Sequence, residues 1–180
     1  MEEPVRIKLE PLSNETFAPY GQVLESKQPV FPAVEPGEGR VAMELLKAKR
    51  PANARRLEQL AIHFSYNQTF IPLEGTLALI VAPAPRNREA GQQNYEVDYS
   101  KLKAFIVEPG QAAFIEKGVW HNAITLGNEC TFINVTRKNP GEGTTQAGEP
   151  GKVENVPARR PYVEFVDLKK RDSRFIELEL

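Results

Sequence analysis

Cysteine occurs once in these 180 residues, at Cys130, tryptophan once, at Trp120, and histidine twice, at His63 and His121. A lone cysteine excludes an intramolecular disulfide framework and cannot by itself make a zinc knuckle. Long apolar runs are also missing. No stretch approaches the roughly 18–20 apolar residues of a membrane-crossing helix. The opening MEEPVRIKLEP has no apolar run of signal-peptide length. Neither sign of charge predominates: 23 basic against 24 acidic residues leave a net charge of −1, and nothing points to a nucleic-acid surface or an acidic tail. These absences predict a cytoplasmic protein without nucleic-acid or membrane partners. The hydrophobic content of 41% is enough for a core and excludes global disorder.

Proline and glycine are plentiful, 15 and 12 residues, and break the chain into pieces that suit short strands and turns. VRIKLEPL alternates apolar and polar residues, as a strand does. Ser13 can cap a short helix through Phe17, which Pro19 and Gly21 would end. GQVLES reads as a strand, VAMELLKAK as a strand or a helix with strand preferred, RRLEQLAIHFSYNQTFIPLEG as strand, turn, strand, and TLALIVAPA as a buried strand. Residues 85–99 read as a polar, mobile loop, and 28–40 and 139–152 as Pro/Gly-rich loops. PG, KG and GN signals divide residues 102–138 into four short strands, a spacing that suggests a β-sandwich or barrel. YVEFVDL and RFIELEL are strand-like, and the latter could pair with a sheet edge in a partner subunit. One domain over 1–180 is expected, with 139–180 as a C-terminal extension.

The two histidines sit in related patterns. Four residues separate His63 from Gln68, and six separate Gln68 from Gly75. Gly110 is followed after five residues by Glu116, after one more by Gly118, and after two more by His121. These spacings resemble the two motifs of the cupin superfamily, G-x(5)-H-x-H-x(3,4)-E-x(6)-G and G-x(5)-P-x-G-x(2)-H-x(3)-N. Here Ala61 stands for the first histidine, Gln68 for the glutamate, Glu116 for the proline and Thr125 for the asparagine. Side chains an even number of steps apart on a strand share a face. His63, Gln68 and His121 can therefore meet in the mouth of one barrel.

Four ordered stretches resemble the ureidoglycolate lyase family more specifically: PLSNETFAPYGQVLES (11–26), HFSYNQTFIPLEG (63–75), LKAFIVEPGQAAFIEKGVWHNAI (102–124) and FINVTRK (132–138). The bacterial pattern has histidines where this chain has Glu116 and Asn122, and an aspartate where it has Thr136. The resemblance implies an all-β cupin-type double-stranded β-helix, a jelly-roll barrel with a short N-terminal helix, assembled as a homodimer. It also implies cleavage of ureidoglycolate to glyoxylate and urea, within purine catabolism (allantoin degradation).

That elimination needs a base, a donor for the departing ureido nitrogen and a partner for the substrate carboxylate. His121 is the first candidate for proton transfer, because imidazole titrates nearest neutrality. Glu116 is the alternative base if burial makes it more basic, and His63 orients the substrate or shares a metal. Gln68, Arg137, Trp120 and Asn122 are the candidate substrate-binding residues, with Arg137 suited to clamping a carboxylate. His63, Gln68 and His121 are the candidate metal ligands, and the sequence leaves open whether a divalent metal or no cofactor is used. The alternatives are another cupin enzyme (an isomerase, epimerase or metal-dependent oxygenase) and a non-catalytic cupin that binds a small ligand.

Overall fold

The structure is a computed structural model, and it describes residues 2–25, 40–50, 55–64, 66–86, 94–138 and 163–179. In chain order the elements are β1 (Glu3–Pro11), α1 (Asn14–Phe17), β2 (Gly21–Glu25), β3 (Arg40–Lys49), β4 (Arg56–Leu57), β5 (Gln59–Ile62), β6 (Gln68–Glu74), β7 (Leu77–Ala82), a 3₁₀ turn (Tyr99–Lys101), β8 (Lys103–Val107), β9 (Gln111–Ile115), β10 (Trp120–Thr125), β11 (Glu129–Lys138), β12 (Glu164–Asp167), α2 (Leu168–Asp172) and β13 (Arg174–Glu179). One sheet has the order β12-β5-β10-β7-β8-β1-β13-β4, and the other β2-β9-β6-β11-β3. The described chain is thus all-β, two sheets curled face to face around a shared core.

β7 shows why its sequence is apolar throughout. Leu77, Leu79 and Val81 join a core that also takes Phe70, Ala113, Ile115 and Phe132 from the second sheet. Ala78, Ile80 and Ala82 join a core on the other face, with Leu60, Ile62, Trp120, Val166, Leu168, Ile176 and Leu178. A strand buried on both faces loses its alternation. α1 is capped by Ser13, whose Oγ accepts from the Thr16 amide at 3.2 Å. It buries Phe17 edge-on to Phe105, ring centroids 5.3 Å apart.

The structure differs from these expectations or adds to them at three points. RFIELEL forms β13, which pairs parallel with β1 and antiparallel with β4 of the same chain. Ile176 and Leu178 are fully buried in the second core, so this strand is satisfied without a partner subunit. Of the loop expected at 85–99, Tyr95 and Val97 pack into that core, while residues 87–93 lie outside the described residues. α2 was not expected, because five residues are too few for a helical period. Asp167 caps it by accepting from the Lys170 amide at 3.0 Å, and Ser173 ends it at φ 54°. The Pro/Gly-rich stretches 28–39 and 139–152 lie outside the described residues.

Candidate active site

β10 lies between β5 and β7, and β6 between β9 and β11. His121 on β10 is directly opposite Val81 of β7 and Ala61 of β5. Directly opposed residues share a face, so His121 points with Val81 into the space between the sheets. Gln68 begins β6 on the facing sheet, and Asn134 of β11 is paired to Phe70, two residues further along β6 on the same side. His63 follows β5. Its carbonyl accepts from the Gly118 amide at 2.6 Å, tying the first histidine segment to the turn before the second. Gly118 has a φ of 84°, a left-handed conformation that glycine adopts without strain.

The side chains converge on one atom. His63 Nε2 lies 2.7 Å and His121 Nε2 2.8 Å from Gln68 Oε1, and the ring centroids are 4.9 Å apart. Gln68 Nε2 donates to Asn134 Oδ1 at 2.8 Å, and Asn134 Nδ2 donates to Glu44 Oε2 at 3.0 Å. Nδ1 of His121 lies 2.9 Å from the Val119 carbonyl. Tyr66 stacks on His63 with centroids 4.3 Å apart and planes inclined by 32°. His63, His121, Gln68 and Asn134 are all buried. Burial first, and the neighbouring His63 second, push His121 down to about 3, against the opposing contact with the Val119 carbonyl. The ring is therefore neutral at neutral pH.

The remaining candidates lie elsewhere. Trp120 and Asn122 flank His121 in sequence but are paired to Ala82 and Ile80, on the opposite face of β10. Trp120 is packed in the second core and donates through Nε1 to the Glu96 carbonyl at 2.9 Å. Asn122 donates to the Gln59 carbonyl at 2.8 Å. Arg137 is odd-numbered on a strand whose Phe132, Asn134 and Thr136 are the buried positions, so it projects from the opposite face of β11. Glu116 is exposed and accepts from Asn67 Nδ2 at 2.9 Å, without the burial on which its role as a base depended.

The candidate metal set fits a divalent ion poorly. Two imidazoles and an amide supply no negative charge, and both imidazole nitrogens are directed at the amide oxygen that would have to coordinate. Ala61 puts a methyl group directly opposite His121, where the cupin pattern has a histidine. Among the described residues no three His, Cys, Asp or Glu side chains are grouped to hold a metal ion. A cleft of about 590 Å³ near the C-terminal segment, lined by Tyr99, Arg171, Asp172 and Arg174 among others, includes neither histidine. Its polar groups bond to one another, as in the pair Tyr99–Asp172.

Sequence reasoning missed Asn134 and Glu44. A signal was available: asparagine is depleted in strands, and Asn134 stands between Phe132 and Thr136 on the parity that faces the core. Phe165 was also missed. It pairs with Ala61, so it shares the face of His121 two strands away, and it is 57% exposed.

The ureidoglycolate lyase family profile matches residues 4–154. A putative ureidoglycolate lyase of Agrobacterium fabrum is 35% identical over 122 residues, covering 64% of this chain and 72% of that protein. The ureidoglycolate lyase of Burkholderia mallei (strain NCTC 10229) is 26% identical over 162 residues, 80% of this chain and 89% of the other. Among solved structures, a cupin-2 domain protein of Shewanella frigidimarina is 19% identical, with a TM-score of 0.36 and coverage of 69% and 91%. The oxalate decarboxylase of Lactobacillus farciminis is 16% identical, with a TM-score of 0.40 and coverage of 90% and 34%. With the profile spanning most of the sequence, and both histidine segments inside it, the chain belongs to the ureidoglycolate lyase family.

Proposed function

We propose that the chain is a lyase that cleaves ureidoglycolate to glyoxylate and urea at the cluster of His63, Gln68 and His121. The observation that carries this reading is the convergence of the two imidazoles on one amide inside the barrel of a ureidoglycolate lyase family member. The reaction requires no redox partner. A base removes the carbinol proton, the oxygen electrons close to a carbonyl, the carbon–nitrogen bond breaks, and the ureido nitrogen gains a proton.

His121 is the base. Its ring is neutral because it is buried beside His63, and the carboxylate of an arriving substrate works against that burial by stabilising the imidazolium. His63 orients the ureido group, stiffened by Tyr66 against its ring. Gln68 Nε2 gives one hydrogen to Asn134 and has a second, which suits the oxygen of a ureido group. The stacked ring of Tyr66 and the apolar wall of Phe70 limit water around the reacting atoms. Such a reaction belongs to purine catabolism, and a cytoplasmic site fits the single buried cysteine. No described helix is long and apolar enough to cross a membrane.

A homodimer is also part of this proposal. β3 ends its sheet, and Val41, Met43 and Leu45 on its outer face are 56%, 71% and 69% exposed. An edge strand with an apolar face invites pairing with another chain, and a second copy is the occupant that the family resemblance implies.

The test is release of glyoxylate and urea from ureidoglycolate by purified protein, compared with His121→Ala. Equal amounts of both products are expected from the wild type, with a loss of about 10²–10⁴-fold in kcat for the variant. Folded wild-type protein that releases neither product removes this function and leaves the isomerase, epimerase, oxygenase and ligand-binding readings.

A further inference from the structure

We propose that Glu44 and Asn134 are a positioning pair that fixes which end of the Gln68 amide faces the imidazoles, and thereby which imidazole nitrogens carry hydrogen. This rests on the reading of the His63–Gln68–His121 cluster as the reaction site, and it concerns how that site is set.

The two ends of a carboxamide have nearly the same shape and opposite hydrogen-bonding sense. Between two imidazoles, Gln68 could equally present its NH₂ group, donating to two ring nitrogens that lack hydrogen. What breaks the symmetry is at the far end of the chain of contacts. Glu44 sits on β3 directly opposite Asn134 of β11, and a carboxylate can only accept. Asn134 must turn Nδ2 toward it, at 3.0 Å. That leaves Asn134 Oδ1 facing Gln68, 2.8 Å from Nε2, so Gln68 is compelled to donate there. Its Oε1 is then the end presented to His63 at 2.7 Å and His121 at 2.8 Å. An amide oxygen has two lone-pair sites, and the two ring nitrogens occupy both. Each must bring a hydrogen to make its bond.

For His63 this selects the ring form with hydrogen on Nε2. His121 has a further demand, because the Val119 carbonyl at Nδ1 also only accepts. A neutral ring has one N–H, so His121 can satisfy one of these oxygens and not the other. Taking up a proton completes both bonds. The polarity imposed by Glu44 therefore leaves neutral His121 one bond short, a deficit that the proton taken up in the reaction would fill. Glu44 reaches neither imidazole directly. It acts through two amides from the outer strand of the second sheet, which is why neither residue stands out in the histidine motifs.

The test is nitrogen-15 NMR of the histidine side chains in full-length protein, in the wild type and in Glu44→Gln, Glu44→Asp and Asn134→Leu. In the wild type, His63 is expected with hydrogen on Nε2. Glu44→Gln gives the far end a group that can donate or accept, and Asn134→Leu removes the link. Each is expected to bring up the Nδ1–H form of His63 and to lower kcat on the order of tenfold, with KM changed less. Glu44→Asp keeps an acceptor-only group and is expected to retain the wild-type ring form. An unchanged His63 ring form in both Glu44→Gln and Asn134→Leu, each confirmed folded by its unfolding curve, overturns the proposal. So does a wild-type His63 with hydrogen on Nδ1. Because the NMR readout does not depend on turnover, a wild-type protein inactive on ureidoglycolate removes the assigned function while the ring forms still decide this inference.

Discussion

Acid should destabilise this protein through His121 in particular. The perturbation is a fall in pH from 7 to 4. His121 is held neutral in the folded chain, down to about 3, by burial and by His63, whereas in the unfolded chain it titrates near the ordinary value of 6.5. Between these two values the unfolded state binds the proton and the folded state does not. Stability is therefore fully present above 6.5 and falls as pH drops through the window toward 3. The slope cannot exceed about 1.4 kcal/mol per pH unit for one group, which sets a ceiling of about 3 kcal/mol between pH 6 and pH 4.

Carboxylates also contribute at acid pH. Asp172 is held down by its contacts with Arg171 and Tyr99 against its burial, and Asp167 by the Lys170 amide. These remain in His121→Gln, whose side chain is neutral throughout. Urea unfolding of both proteins at pH 7, 6, 5 and 4 should show the wild type losing more stability than the variant, with most of the difference accumulating between pH 6 and 4. Parallel pH profiles, or an NMR titration of His121 with a midpoint near 6.5, would refute the reasoning.

Three further perturbations follow from the packing. Leu79→Ala, at a fully buried position between the two sheets, should cost about 2–5 kcal/mol by chemical denaturation. Gly75→Ala places a methyl carbon 2.4 Å from the Glu129 carbonyl at a φ of +76°, and should destabilise by at least about 1–3 kcal/mol through strain, read as a lower thermal midpoint. Leu45→Glu, on the exposed face of β3, tests the proposed homodimer: light scattering should find the variant monomeric and the wild type dimeric, with the far-UV circular dichroism unchanged.

The legibility of the site followed the length scale of the signal. β1, the Ser13 cap, β7 and the four strands from β8 to β11 were readable because alternation, capping residues and Gly turns are local. The pairing of His63 with His121 was readable because the two motifs carry fixed spacings from Gly75 and Gly110. Side-chain direction was readable only where parity was considered. Trp120, Asn122 and Arg137 are close to site residues in sequence, yet an odd number of steps along a strand puts a side chain on the other face. Glu116 sat at a motif position, but exposure is a property of the packed turn.

The sequence by itself determined an all-β barrel punctuated by glycine and proline, and which two imidazoles would share it, because strand periodicity and turn geometry act over a few residues. Only the tertiary structure decided that Glu44 and Asn134 complete the cluster, that β13 folds back onto β1, and that Arg137 turns away. Those outcomes depend on which strands become neighbours and in what register. That choice is made by burial of both sheet faces at once, which no short stretch of sequence encodes.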